Sequence, residues 1–141
     1  MAEQPLIVVI DDSEVILERL KTRLEVEGYR VITTAQTVGA ARHLIGASLV
    51  ILDWHMPGMS GGDIIQSLRA ATANSAKRPL FYLYTSDPSV AAAAEGNGFD
   101  GSFSNKGDDE SLVQQIGAAM RIAKLRARAS AGTPSKPSTP K

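Results

Sequence analysis

The sequence predicts an α/β protein, a five-stranded parallel sheet wound with helices on both faces. Short apolar runs rich in β-branched and aromatic residues alternate with stretches of helical periodicity. The runs are continuous rather than alternating with polar residues, the pattern of strands buried on both sides. Glycine, proline and clustered polar residues punctuate the boundaries.

The first strand is Leu6-Ile7-Val8-Val9-Ile10 and the second Arg30-Val31-Ile32-Thr33. The third is Leu49-Val50-Ile51-Leu52 and the fourth Leu80-Phe81-Tyr82-Leu83-Tyr84, with a shorter fifth at Gly101-Ser102-Phe103-Ser104. Between them lie the helices. Ile16, Leu20 and Leu24 recur at four-residue spacing from Glu14 onward, Leu17 widens the stripe, and Gly28 follows as a C-terminal cap. Val38, Ala41, Leu44 and Ile45 mark a second helix, and Ile64, Ile65 and Leu68 a third, ahead of a polar loop ending at Pro79. Pro88 suits the first turn of a fourth, Ala-rich helix that fades at Gly96 and Gly98. Leu112, Val113, Ile116 and Met120 mark a fifth, opened by Asp108, Asp109 and Glu110, whose charges favour a helix N-terminus. Right-handed crossovers bury each helix against the sheet. The expected fold is a doubly wound (βα)5 unit with the flavodoxin-like strand order 2-1-3-4-5.

A chain of 141 residues, 43% apolar and 21% charged, has the composition of one soluble globular domain. It has no cysteine, which excludes disulfides, thiolate nucleophiles and Cys-ligated zinc. The first apolar run is short and meets Asp11-Asp12, and no stretch approaches the roughly 20 apolar residues of a membrane span. A cytoplasmic location is the expectation. The zero net charge hides an asymmetry: residues 1–120 hold nine Lys/Arg against fifteen Asp/Glu, and residues 121–141 hold six Lys/Arg and no acid. Ser130 to Lys141 lacks an apolar anchor, so residues 1–129 are expected to form the domain and 130–141 a disordered basic tail or linker. Cations near a helix C-terminus are favoured by its dipole. Nothing in the basic end reads as a recognition element for specific DNA contact.

Ligands of open α/β sheets bind beyond the carboxyl ends of the strands. The residues there are Asp11-Asp12 after strand one, Asp53 after strand three, Thr85-Ser86 after strand four and Lys106 after strand five. With strands one and three adjacent, Asp11, Asp12 and Asp53 converge, and their mutual repulsion raises at least one pKa unless a cation relieves it. Few carboxylates plus retained waters is a Mg²⁺ pattern. A metal, the Lys106 ammonium and the Thr85 hydroxyl around one carboxylate suit phosphoryl transfer, in which charge on the transferring oxygens must be neutralised.

Over residues 5–125 this pattern resembles the receiver domain of two-component response regulators. The carriers are Asp11-Asp12, the run Asp53-Trp54-His55-Met56-Pro57-Gly58-Met59-Ser60-Gly61, Thr85-Ser86, Phe103 and Lys106. The resemblance implies that Asp53 becomes an aspartyl phosphate. It implies Asp12 as a direct Mg²⁺ ligand, Asp11 as one acting through water, and the His55 backbone carbonyl as the remaining protein ligand. It implies that Lys106 pairs with the phosphoryl oxygens. Thr85 becomes the hydroxyl that moves to the phosphate and Phe103 the aromatic that turns inward behind it, altering a protein-binding surface on helix four, strand five and helix five. The phosphoryl donor is a sensor histidine kinase or a phosphotransfer protein. The protein is a switch catalysing only its own phosphorylation and dephosphorylation, not a metabolic enzyme.

Four positions depart from the usual family pattern. Gly107 replaces the proline after the lysine, Ser86 the Ala or Gly after the threonine, Phe103 the commoner Tyr, and Gly62 an apolar residue at the start of helix three. The family's Lys-Pro bond is often cis, and a cis Lys-Gly bond would cost roughly 2.5–4 kcal/mol, which leaves the course of that loop open. Without a hydroxyl, the inward and outward states of Phe103 are expected to differ mainly in packing, with the inward one sampled before phosphorylation. His55 reads as a rim residue, His43 as a solvated or half-buried one, and Trp54 as packing beside the site. Other readings fit less well. A haloacid-dehalogenase-like phosphatase needs an Asp-x-Asp motif, absent at Asp53-Trp54-His55. A pseudo-receiver would lack an acid, the threonine or the lysine. Flavodoxin-like cofactor binding needs a phosphate-cradling loop after strand one.

Overall fold

The computed structural model describes residues 4–36, 40–44, 46–53, 55–56, 59–73, 78–104 and 106–132, with backbone alone at 40–41, 55–56, 59–62, 123 and 126–132. Strands β1 (Leu6–Ile10), β2 (Arg30–Thr34), β3 (Leu49–Asp53), β6 (Leu80–Tyr84) and β7 (Gly101–Phe103) form one sheet in the order β2-β1-β3-β6-β7. All four pairings are parallel. Counted by these strands alone, the order is the expected 2-1-3-4-5.

The continuous apolar runs produce this burial: every residue of β1 and of β3 is buried. Side chains alternate across the strands, so each run feeds two cores. Val8, Ile10, Val50, Leu52, Phe81 and Leu83 face Ile64, Ile65 and Leu68 of helix α2 (Gly61–Thr72). Ile7, Val9, Leu49, Ile51 and Tyr84 face Leu17, Leu20 and Leu24 of α1 (Glu14–Val26), and Leu112 and Ile116 of α4 (Asp109–Gly132).

Local chemistry sets the helix ends. Ser13 caps α1 by accepting the Ile16 N–H, and Asp108 caps α4 by accepting the Ser111 N–H at 3.0 Å. Gly28 follows α1 at φ 98°, and the Gly28 and Tyr29 N–H groups return to Glu25 and Leu24, a Schellman closure that needs a left-handed residue. Asp87 caps α3 (Pro88–Ala92), with Pro88 in its first turn.

Several elements differ from the sequence reading. In place of a second α-helix, the described residues hold a 3₁₀ turn, Ala40–Leu44, closed by the Ala47 N–H on Leu44 with Gly46 at φ 81°. Gly39 and Gly46 bracket a run shorter than two α-helical turns, too short to propagate. Val38 and Ile45 of that stripe lie outside the described residues. The fourth helix stops at Ala92 and resumes as a 3₁₀ turn, Glu95–Asn97, because alanine alone offers little apolar surface to hold longer coils against the sheet. The fifth strand ends at Phe103, where β6 offers no further partner residue. The last helix continues to Gly132, past the expected boundary at residue 129, and residues 133–141 lie outside the described residues. A small antiparallel pair, β4 (His55–Met56) with β5 (Met59–Ser60), leads from β3 into α2. Among the described residues, no helix is long and apolar enough to cross a membrane.

Candidate functional site

The strand ends bring the acids together. Asp11 extends β1 by one rung, its N–H donating to the Thr34 carbonyl. Asp53 is the last residue of β3, beside β1 in the sheet. Asp11 and Asp53 are buried and Asp12 is exposed. One carboxylate oxygen from each of Asp11, Asp12 and Asp53 lies within 4.8 Å of the other two. This is a hard-oxygen donor set, two acids in the floor and one at the mouth, that fits a small divalent cation with retained waters.

Lys106 enters from the β7 side. Its Nζ stands 3.1 Å from Asp53 Oδ1 and 3.1 Å from Asp11 Oδ2. The Asp11 carboxylate also accepts the Ser13 N–H at 2.9 Å. Burial raises the Asp11 pKa, outweighing the Ser13 hydrogen bond and Lys106, and repulsion from Asp53 adds to the rise. A raised carboxylate was expected from the cluster, but desolvation contributes more than the neighbouring charge. For Lys106 burial works toward a lower pKa, yet Asp11 and Asp53 together outweigh it and the ammonium is held above its ordinary value.

Thr85 and Phe103 meet at the ends of β6 and β7. The Thr85 N–H donates to the Phe103 carbonyl at 3.1 Å. The Thr85 hydroxyl accepts the Asp87 N–H at 3.0 Å, tying it to the start of α3. The Phe103 ring is buried and stacks on Tyr82 with centroids 4.5 Å apart. The His55 side chain and Trp54 lie outside what is described, and His55 contributes its backbone position at the start of β4. His43 is half-buried in the 3₁₀ turn.

The sequence reading took Tyr84 only as a strand residue, and the structure gives it more. Its hydroxyl oxygen accepts the Gly107 N–H at 3.1 Å, and Lys106 Nζ lies 5.6 Å from its ring centroid. Gly107 sits at φ 105°, open to glycine and closed to proline, and no described peptide bond is cis. The Ser86 hydroxyl reaches the Lys106 carbonyl at 3.4 Å. A Tyr-Thr pair ending a strand, with Lys-Gly after the next, was the signal in the sequence. It pointed nowhere until the strands were paired.

The doubly wound sheet, with acids and a lysine gathered at its strand ends, has the layout of a signalling receiver. Residues 7–117 match the model of the response regulator receiver domain, and the chain belongs to that family. It is 44% identical over 66 residues to the transcriptional regulatory protein KdpE of Mycobacterium tuberculosis, a match covering 45% of this chain and 29% of KdpE. The chain thus spans less than a third of the length of that relative. A response regulator receiver domain protein from Clostridium thermocellum superposes with TM-score 0.69 at 27% identity, over 86% of this chain and 98% of that one. The chemotaxis response regulator CheY4 of Vibrio cholerae shares the fold, with TM-score 0.69 at 20% identity, over 83% of this chain and 99% of that one. The chain is therefore a receiver domain of two-component signalling, a switch rather than a metabolic enzyme.

Proposed function

We propose that Asp53 is the phosphoacceptor, with Mg²⁺ as the cofactor. The observation that carries this reading is the Lys106 ammonium 3.1 Å from the Asp53 carboxylate, with Asp11 and Asp12 grouped beside it. Asp11, Asp12, Asp53 and the His55 carbonyl would hold the metal, which supplies positive charge to the phosphoryl oxygens. A carboxylate oxygen of Asp53 attacks phosphorus, the O–P bond forms, and the bond from phosphorus to the donor nitrogen breaks, its electron pair leaving with the donor. Lys106 neutralises charge on the oxygens during that transfer and can do the same when water later attacks the aspartyl phosphate.

The donor is a sensor histidine kinase or a phosphotransfer protein. A phosphoryl group on Asp53 offers the Thr85 hydroxyl a charge-assisted hydrogen bond in exchange for Asp87. Thr85 is bonded through its backbone to Phe103, so such a shift reaches the surface of α3, β7 and α4, the fourth-helix, fifth-strand and fifth-helix face. The ligand moves that equilibrium only by its differential affinity for the two states. The signalling unit runs to the end of α4 at Gly132, the residues beyond it are a linker, and the cytoplasm is the working location.

The test is incubation with acetyl phosphate and Mg²⁺, followed by intact-mass measurement. Wild type should gain one phosphoryl mass and Asp53→Asn none, while His43→Gln and His55→Gln should behave as wild type. A stable gain on Asp53→Asn at the wild-type rate would overturn the assignment.

A further inference from the structure

Lys106 carries a long, flexible side chain, and its usefulness depends on where the ammonium is held. The peptide that follows Lys106 is held at both of its polar groups. The Ser86 hydroxyl reaches the Lys106 carbonyl, and the Tyr84 hydroxyl receives the N–H of Gly107. Tyr84 belongs to β6 directly opposite Asp53 of β3, so the residue that anchors the lysine loop is registered against the acceptor itself. Its ring is buried, and the Lys106 ammonium lies 5.6 Å from the ring centroid.

We infer that Tyr84 is a positioning residue for Lys106, holding the Lys106–Gly107 corner through its phenol oxygen so that the ammonium stays against Asp53. This rests on the reading of Lys106 as the cation that serves the phosphoryl group. The residue types at the corner are matched to one another. A φ of 105° suits glycine, and proline, fixed near φ −65° and lacking an N–H, could neither adopt the bend nor donate to the phenol. The corner is therefore held by a hydrogen bond from a residue otherwise free to move. The ring adds a cation–π contact to the same lysine, narrowing the ammonium's range before any substrate arrives. Were Tyr84 only core filling, its hydroxyl could be removed with no consequence specific to Lys106.

The experiment compares the 141-residue wild type, Tyr84→Phe, Tyr84→Leu, Lys106→Ala and the Tyr84→Phe/Lys106→Ala pair. Each is incubated with acetyl phosphate and Mg²⁺ below its unfolding temperature, and the phosphorylation rate is read by intact mass. Tyr84→Phe should slow the rate about fivefold, the scale of one hydrogen bond, and shift the Gly107 amide resonance. Tyr84→Leu, which removes the ring as well, should slow it further and decides the matter should the Phe variant fold poorly. In the Lys106→Ala background, Tyr84→Phe should change the rate by less than about twofold, because a residue acting through the lysine has nothing left to position. A general structural effect would give the same factor in both backgrounds, and that result overturns the inference. So does a wild-type rate for Tyr84→Phe beside a slow Lys106→Ala. A Lys106→Ala rate equal to wild type would instead remove the underlying reading of Lys106, and this inference with it.

Discussion

Replacing Lys106 with alanine tests whether the site is electrostatically strained before any ligand binds. The ammonium stands 3.1 Å from both Asp11 and Asp53, whose side chains are only 3% and 9% exposed. At an effective dielectric of about 20, each contact is worth about 5 kcal/mol gross. Desolvation of three charged groups offsets most of that, and removing one partner from a buried pair costs about 3–5 kcal/mol. Lys106 keeps 21% exposure, so entering water can replace part of its charge, and a loss of about 2 kcal/mol at neutral pH follows.

The sign of the pH dependence follows from Asp11. Its folded pKa lies above the ordinary 3.8, so its ionisation removes stability as pH rises from there through the folded value. Without Lys106 the rise is larger, because an influence that lowers the pKa has gone. The deficit of Lys106→Ala should therefore be largest at neutral pH and shrink in acid as Asp11 takes up a proton. Millimolar Mg²⁺ should shrink it too, by supplying the missing positive charge. Urea denaturation with EDTA or Mg²⁺, at pH 7.5 and in mild acid, measures all of this. Wild-type stability in EDTA at pH 7.5, or a deficit indifferent to both pH and Mg²⁺, would refute the reasoning.

Two further outcomes follow from packing and titration. A Cβ added at Gly101 would meet the Tyr82 ring at 2.8 Å, and that ring is stacked on Phe103. Gly101→Ala should cost about 1–3 kcal/mol as overpacking, read by urea denaturation, and an unchanged midpoint would show that Tyr82 yields freely. Burial raises the Tyr84 pKa above 10.0 despite the Gly107 hydrogen bond, while Asp11 and Asp53 raise Lys106 above 10.5 against its own burial. The unfolded chain thus ionises its tyrosine first, and the lysine's contribution disappears as pH rises through its folded value. These two groups should leave stability flat from neutral pH to about 10 and lower it beyond. Tyrosinate absorbance beside thermal melts tests it, and a Tyr84→Phe variant with an unaltered alkaline limb would contradict the tyrosine part.

The sequence by itself determined the sheet and which polar residues follow its strands. Unbroken runs such as Leu6 to Ile10 can satisfy their apolar surface only with cover on both faces, which requires helices between parallel strands. Once the strands are ordered, the positions of Asp11, Asp53, Thr85 and Lys106 at strand ends follow from their places in the chain. Helix ends were legible where the signals are local, as at Gly28 and Pro88. The stretch around Leu44 and the Ala-rich run after Pro88 were not. Their periodicity suggested α-helix, but runs that short depend on tertiary support that periodicity alone does not report. Only the tertiary structure decided how Lys106 is held. The bond from Gly107 to Tyr84 joins the turn after β7 to strand β6, and nothing local to either residue encodes it. Burial likewise decided that Asp11 is raised mainly by desolvation, because a carboxylate's solvent exposure is set by everything packed around it, not by its neighbours in the chain.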